Sequence, residues 1–392
     1  MKKLVLSLSI VALFLGSCSS DNEEITTDPI RTGTISGEIT TAESYPKGNY
    51  TIQGTVKVKN GGSLTIEAGS VITAVLTDGS DALLVENGGK LFLNGTAALP
   101  IVFTEASKTP GSWGGIIMVG DAPIVGANSV TTATTEDGNN LPYGGTNATH
   151  NGGTLKYVRV EYAGKKLTDN TSEMNGFSFY SVGSGTVLEN LVAYKGADDG
   201  FEFYGGTVSA KNLISYGNFD DSFDWQDGWR GDANTNWYAY QVVTGNYGME
   251  IEAKSINNAF GPKVSNITLT RAAGTVTEGG SSANEFDAIQ FKKEGNGEYT
   301  NVVISGYTTS NTTLTATAVR IQDKSTNDNQ VTGGKIKMLN VKINDGTSQF
   351  AGVGTTFTVA FPTGNYTTST TATGATLTAG AWAIVDGVSL IK

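Results

Sequence analysis

A six-residue motif recurs along the middle of the chain and restricts the fold more than any other feature. In each copy, large apolar residues stand two positions apart, a polar residue separates them, and a small residue precedes the first. The copies are NGFSFY (175–180), DGFEFY (199–204), DSFDWQ (221–226), YGMEIE (247–252), DAIQFK (287–292) and TAVRIQ (317–322). This alternation indicates half-buried strands. Steps of 24, 22, 26, 40 and 30 residues predict an all-β fold, a parallel β-solenoid in which the longer coils carry inserted loops.

A second repeated feature is an asparagine that follows the motifs and precedes an aliphatic residue. It occurs at Asn190, Asn212, Asn266, Asn301 and Asn340. Stacked asparagines can bond to the copy above and the copy below when parallel strands are in register. Their side chains also tolerate special turn conformations. We therefore expect an asparagine ladder along the coils.

The boundaries of the solenoid follow from the composition outside the motifs. Residues 121–153 are rich in Gly, Thr and Asn, which predicts one long inserted loop. We place the parallel β-helix at residues 45–360. Residues 361–392 are expected to form C-terminal strands or a cap, because the open end of a solenoid must be covered.

The N-terminus has the features of an export signal. Lys2 and Lys3 precede an apolar run that is too short to span a bilayer and ends in LGSC at 15–18. Cys18 is the single cysteine of the chain. This arrangement resembles the lipobox of bacterial lipoproteins, which implies a signal peptide at 1–17, a lipid-modified Cys18, and a lipidated N-terminus and flexible tether at 18–44. An ordinary secretory peptide with an incidental cysteine is the alternative.

Five further stretches carry a resemblance to a known family. They are WGGIIMVGDAPI (113–124), GTLKYVRVEYAG (153–164), NGFSFYSVGSGT (175–186), DDGFEFYGGTV (198–208) and DDSFDWQDGWRG (220–231). Together they resemble a family of Bacteroidota surface lipoproteins with a pectin-lyase-like fold. The resemblance implies a single-stranded right-handed parallel β-helix, anchored by lipid in the outer membrane and exposed at the cell surface. The acidic tract SSDNEE (19–24) is similar to the surface-export signal of such lipoproteins. The family has no established activity.

Charge and histidine content exclude several classes of function. The chain has 26 basic and 37 acidic residues, so its formal net charge is −11. A nucleic-acid-binding protein needs a clustered basic surface, which this composition does not predict. The single histidine, His150, lies in the loop-like run NATHNGG, where we expect a solvated side chain. A Ser–His pair or a His-rich zinc site is therefore not expected.

The polar residue inside each motif forms an outward column of the predicted strands. It reads Ser178, Glu202, Asp224, Glu250, Gln290 and Arg320. Neighbouring coils are about 4.8 Å apart, so three carboxylates would stack roughly 5 Å from one another. Each such pair costs about 3 kcal/mol at an effective dielectric constant near 20, but under about 1 kcal/mol in open water. The column is thus a solvated face, a cation site formed by Glu202, Asp224 and Glu250, or a saccharide-handling site. Calcium is the cation that suits several carboxylates in a loose geometry.

Residues beside the column are the remaining site candidates. Asp199, Asp221 and Asp227, with Asp198 and Asp220, crowd the same end of the strands, although Asp is also a common turn residue. Tyr204 and Trp229 would present aromatic faces to a sugar. Arg230, Lys254 or Arg320 would supply the base of a lyase.

Three classes of function remain open at this level. We favour a surface lipoprotein without enzymatic activity that binds a cation, a glycan or a surface protein and is held at the membrane by its lipid. The alternative is a polysaccharide-active enzyme, a lyase or glycoside hydrolase, that uses the acidic column. The second alternative is a structural or adhesive protein, suggested by threonine-rich runs such as TTSTTATGATLTAG (367–380).

Overall fold

The computed structural model describes residues 30–76, 81–167, 173–255, 261–277, 285–310, 314–353 and 357–392. Within them, one sheet of 24 parallel strands winds along the chain. Its strands are β1 (Arg31–Ile39), β2 (Ala42–Tyr45), β3 (Gly48–Val58), β4 (Ser63–Glu67), β5 (Val71–Ala74), β6 (Ala82–Val85), β7 (Lys90–Asn94), β8 (Ile101–Glu105), β9 (Ile116–Val119), β12 (Gly153–Glu161), β13 (Phe177–Tyr180), β14 (Val187–Tyr194), β15 (Phe201–Tyr204), β16 (Ala210–Tyr216), β17 (Phe223–Gln226), β18 (Asn234–Gln241), β19 (Met249–Ile251), β20 (Lys263–Arg271), β21 (Ile289–Phe291), β22 (Gly297–Ser305), β23 (Thr317–Ile321), β24 (Ile336–Ile343), β25 (Ser348–Gly352) and β26 (Tyr366–Thr368).

Two small antiparallel hairpins and short helical turns complete the described structure. The hairpins are β10 (Ala133–Thr134) with β11 (Pro142–Tyr143), and β27 (Ile384–Val385) with β28 (Val388–Ser389). The turns are 3₁₀ turns at Ala127–Ser129 and Ala381–Ala383, one α turn at Lys324–Thr326 and a π turn at Asn327–Val331. Within the described ranges, no helix is long and apolar enough to cross a membrane.

The predicted motifs form one face of the β-helix. Strands β13, β15, β17, β19, β21 and β23 pair in sequence, each with the copy one coil further on. The first apolar positions stack directly, with Phe177 opposite Phe201 and Phe201 opposite Phe223. Parallel rings of Phe177 and Phe201 lie 5.0 Å apart in the interior. The predicted fold class, an all-β parallel β-helix with inserted loops, is confirmed.

The predicted asparagine ladder marks a corner of each coil. The long strands β14, β16, β18, β20, β22 and β24 bend where one residue is skipped in the pairing register. That residue is an asparagine with a φ of 56° to 59°, at Asn190, Asn212, Asn236, Asn266, Asn301 and Asn340. Side-chain amides bond between neighbouring coils at Asn190–Asn212, Asn212–Asn236 and Asn266–Asn301, as from Asn212 Nδ2 to Asn190 Oδ1 at 3.0 Å. Asn tolerates this left-handed conformation better than most residues. Asn236 is a member that the sequence pattern missed.

The β-structure begins earlier than the predicted boundary at residue 45. Strand β1 runs parallel to β3, and β2 runs parallel to β4, so residues 31–45 are already paired in the sheet. The prediction of a flexible tether is therefore wrong for the residues of β1 and β2. The predicted signal peptide and Cys18 lie outside the described residues.

The C-terminal residues divide into an end cover and a strap. Phe361 and Tyr366 pack on Phe350 of the last coil, as predicted for a cap. Beyond them the chain runs back along the side of the coils, where the amide of Ala375 bonds to Thr268 Oγ1 at 2.9 Å. Its end reaches Tyr157, whose ring meets that of Trp382 edge to face at 5.8 Å. The prediction of C-terminal strands or a cap for 361–392 did not include this return along the coils.

Candidate functional site

An acid-lined cleft of about 330 Å³ lies over strands β15, β17 and β19. Eleven carboxylate side chains and three lysines line it. The strands supply its floor, and the turns that precede them supply one wall. The predicted inserted loop contributes Glu136, so residues distant in sequence meet here.

The floor of the cleft is the predicted acidic column. Glu202 is opposite Asp224, and Asp224 is opposite Glu250, on three consecutive coils. Glu202 is 6 % exposed and Asp224 is 9 % exposed, because the turns and the inserted loop fold over the strands. The register prediction is confirmed. The alternative of a solvated face is wrong, since these carboxylates are buried.

Glu202 accepts hydrogen bonds from three neutral side chains in the cleft. Asn175 Nδ2 donates to its Oε2 at 2.7 Å, and Gln226 Nε2 donates to its Oε1 at 2.9 Å. The hydroxyl of Tyr204 also donates to Oε2. These contacts fix the side chain in the cleft, and they are formed by neutral groups that leave its charge uncompensated.

Asp224, the central member, is less well satisfied. Its Oδ1 is buried and has no hydrogen-bond partner within the part of the chain that the structure describes. A buried, unpaired carboxylate oxygen is costly in a protein interior. Its environment therefore favours either a proton or a bound cation.

Asp199 and Asp221 repeat one structural role on successive coils. Asp199 Oδ1 accepts the backbone N–H of Asp221 at 2.8 Å, and Asp221 Oδ1 accepts that of Tyr247 at 2.6 Å. The predicted turn role, in which an aspartate bonds its own turn, is not what these two carboxylates perform, because each binds a backbone N–H of the next coil. Both side chains also line the cleft, so one carboxylate can link two coils and belong to the site.

Three lysines also line the cleft. Lys292 pairs with Glu250 and lies 3.5 Å from Glu252. Lys293 contacts Glu252 at 2.9 Å. Lys254 lies 3.6 Å from Glu136 of the inserted loop. These glutamates therefore have lysine partners, whereas the acidic end of the cleft, around Asp199, Glu202 and Asp224, has no ion pair among the described residues.

Electrostatics at the acidic end favour protonation in the absence of metal. Burial, reinforced by the charge of Glu136, raises the pKa of Glu202 to about 8. Burial and the charges of Glu202 and Glu250 raise the pKa of Asp224 well above its ordinary value. The pKa of Asp199 is raised in the same way, by burial and the neighbouring aspartates. A cation bound among them would reverse these shifts, because it stabilises the ionised form.

Three of the predicted site residues lie outside this cleft. Asp227 accepts a hydrogen bond from the hydroxyl of Tyr143 in the inserted loop. Trp229 is a core residue, 1 % exposed, and its indole N–H donates to Val208 O at 3.0 Å. Arg230 is partly buried and donates to Gly228 O at 3.2 Å. The turn after β17 leads the chain away from the cleft and removes these side chains from the acidic column.

Two further predictions failed because the inserted loop packs against the coils. Tyr204 lines the cleft with its hydroxyl, but its ring stacks on Tyr180 at 3.9 Å and is covered by Tyr143. It offers no open face to a sugar. His150 is 5 % exposed instead of solvated, and its Nδ1 accepts from the Gly183 N–H at 3.4 Å.

The sequence contained an unused signal for three of the missed cleft residues. Extending the outward column that begins with Tyr180 and Tyr204 by one coil at a time gives Gln226, Glu252 and Lys292. Tyr204 is opposite Gln226 in the structure, which fits this alignment. No comparable signal identifies Glu136, because its approach depends on the path of a long loop.

Comparisons with known proteins address the fold. The family described as pectate-lyase-like β-helix domain matches residues 33–385 of the chain. Comparison with curated proteins gives no match, and neither does comparison with solved structures.

Proposed function

The chain belongs to the pectate-lyase-like β-helix domain family, and on that premise we propose that it is a non-enzymatic surface lipoprotein whose acidic cleft binds calcium. Cys18 would carry the lipid, and the β-helix would stand outside the outer membrane. The lipobox-like LGSC and the acidic tract that follows it support this location.

One observation carries the calcium assignment. Oxygens of Asp199, Glu202 and Asp224 lie within 4.8 Å of one another, and all three side chains are buried. The lysines of the cleft pair with Glu136, Glu250 and Glu252 instead. Calcium accepts six to eight oxygen ligands in flexible geometry at about 2.3–2.6 Å. Three converging carboxylates, with water for the remaining positions, fit that preference.

A glycoside hydrolase is supported less well by the same cleft. A retaining pair needs one protonated acid and one ionised nucleophile, held apart in pKa by different environments. Here burial raises the pKa of both Glu202 and Asp224. The two carboxyls therefore do not divide into an acid and a nucleophile.

None of the three predicted lyase bases is suited to that role. Arg320 is buried in an ion pair with Asp287 at 3.0 Å, and Arg230 does not line the cleft. Lys254 does line it, but Asp227 and Glu136 raise its pKa despite the opposing effect of burial. A lysine held in its charged form is a weak proton acceptor at neutral pH.

Thermal unfolding with and without calcium tests the binding proposal. Calcium at a hundredfold excess over its Kd should stabilise the native protein by about 2.7 kcal/mol and raise Tm accordingly. Asp224→Asn should reduce that increase, because it removes a ligand, whereas Asp232→Asn, an exposed acid outside the acidic cleft, should retain it in full. An unchanged Tm of the parent protein across millimolar calcium would contradict the proposal.

Cell fractionation tests the location. The parent protein should partition with membranes and be cleaved when intact cells are treated with protease. Cys18→Ala should instead give a soluble or unprocessed product. Membrane association that persists in the variant would show that Cys18 is not the anchor.

A further inference from the structure

We propose that the acidic cleft holds a pair of calcium ions bridged by Asp199, an inference that rests on the calcium-binding function proposed above. Two groups of carboxylates converge in the cleft, and they share a single member. One group consists of Asp199, Glu202 and Asp224, and the other of Asp198, Asp199 and Asp220. In each group the ligand oxygens lie within 4.8 Å of one another.

The backbone explains why the two groups form side by side. Asp198 and Asp199 precede β15, and Asp220 precedes β17 at the equivalent place one coil further on. Glu202 and Asp224 stand on those two strands themselves. One group therefore spans the turns and the other spans the strands. Asp199 lies where turn and strand meet, so it belongs to both.

Each group contains a buried oxygen that calls for a ligand. Asp198 is 2 % exposed, and its Oδ2 finds no hydrogen-bond partner among the described residues. Asp224 is 9 % exposed, and the same holds for its Oδ1. Both side chains line the cleft. A single ion in either group would leave the other oxygen unsatisfied, whereas one ion in each group satisfies both.

Charge balance also favours two ions. The two groups together contain five carboxylates. One divalent cation would leave three negative charges in a largely buried site, and two would leave one. The bridging role suits Asp199, because its Oδ1 is already oriented by the backbone N–H of Asp221 at 2.8 Å. A carboxylate that binds two cations through its two oxygens keeps that hydrogen bond.

The number of bound ions tests the pair directly. The purified protein, freed of metal with a chelator and dialysed, is titrated with calcium in a calorimeter, and bound calcium is then measured by elemental analysis. Two ions per chain are expected, the second binding about tenfold more weakly because the cations repel. Asp198→Asn and Asp224→Asn should each bind one ion. Asp199→Asn should weaken both ions by at least about tenfold.

Control measurements separate this inference from the proposed function. Asp232→Asn should still bind two ions, and the far-ultraviolet circular dichroism of each variant reports whether it folds. Asparagine at position 199 retains the Oδ1 acceptor for Asp221. One ion in the parent protein, with Asp198→Asn unaffected, would overturn the pair and leave a single-calcium site. Two ions with only one weakened by Asp199→Asn would overturn the bridge. No bound calcium would overturn both proposals.

Discussion

Two stacks of identical design run along this β-helix, and they differ in chemistry. The asparagine ladder and the acidic column both place similar side chains on successive coils in register. An asparagine both donates and accepts, so Asn212 bonds to Asn190 and receives a bond from Asn236, both at 3.0 Å. An ionised carboxylate only accepts, so Glu202, Asp224 and Glu250 cannot satisfy one another in their charged forms.

The difference shows what in-register stacking demands of a sequence. When a neutral asparagine is repeated on successive coils, the hydrogen bonds between the copies stabilise the stack. When a carboxylate is repeated, the negative charges repel one another. The protein relieves that repulsion in two ways. Lys292 compensates Glu250, while Asn175, Gln226 and a tyrosine hydroxyl orient Glu202. The remaining charge around Asp224 is the part that we assign to calcium.

Removing the lysine that compensates the column should have the largest effect. In the absence of metal, Lys292→Met should destabilise the protein by about 3 kcal/mol, because it leaves a largely buried Glu250 without its partner. The two side chains are 18 % and 13 % exposed. Lys324→Met, which breaks an exposed pair with Asp328, should cost under about 0.5 kcal/mol. Urea unfolding measures both. Equal effects would mean that the column needs no compensation.

The acidic column should also make metal-free stability depend on pH. Glu202 has a pKa of about 8 in the folded protein against an ordinary value of 4.5. Below about 4.5 it is protonated in both states, and burial carries no charge penalty. Between these values the unfolded chain releases a proton that the folded protein keeps. Stability should therefore fall as pH rises, by about 1.4 kcal/mol per pH unit for each proton retained.

Unfolding in chelator at pH 5, 6.5 and 8 measures this dependence. Asp224→Asn should flatten the decline and raise metal-free stability at pH 8, because it removes the central carboxylate. Stability that rises across the same range in the parent protein would contradict the assigned pKa shifts.

The asparagine ladder should give the smallest effect, and it offers a matched control. Asn212 and Asn340 share the left-handed conformation, with φ of 58° and 56°. Asn212 has two ladder bonds, whereas the described hydrogen bond of Asn340 joins its backbone N–H to Thr367 Oγ1. Asn212→Ala should cost about 1–2 kcal/mol more than Asn340→Ala, roughly 1 kcal/mol for each lost bond. Equal costs would mean that the ladder hydrogen bonds do not contribute to stability, and that these asparagines matter only for their left-handed backbone conformation.

The sequence predicted what the coil repeat determines. The alignment of Phe177, Phe201 and Phe223 gave the correct register, and that register placed Glu202 opposite Asp224. Period-two alternation also identified the outward side chains correctly. These features depend on residues within one or two coils of each other.

Burial and the outer wall of the cleft could not be predicted, because they depend on segments that fold over the coils from far away. The inserted loop brings Tyr143 onto Tyr204 and Glu136 into the cleft. The turn after β17 directs Trp229 inward, where its ring lies 4.5 Å from that of Phe203. A repeat pattern shows which side chains point outward, but it does not show what covers them.

Diffraction from crystals grown with calcium, compared with crystals grown in chelator, tests the central claim most directly. We predict density for calcium between Asp199, Glu202 and Asp224, with oxygen distances of about 2.3–2.6 Å, and its loss in chelator. The claim would be contradicted if these carboxylates, in millimolar calcium, were bonded only to one another through shared protons with no ion between them.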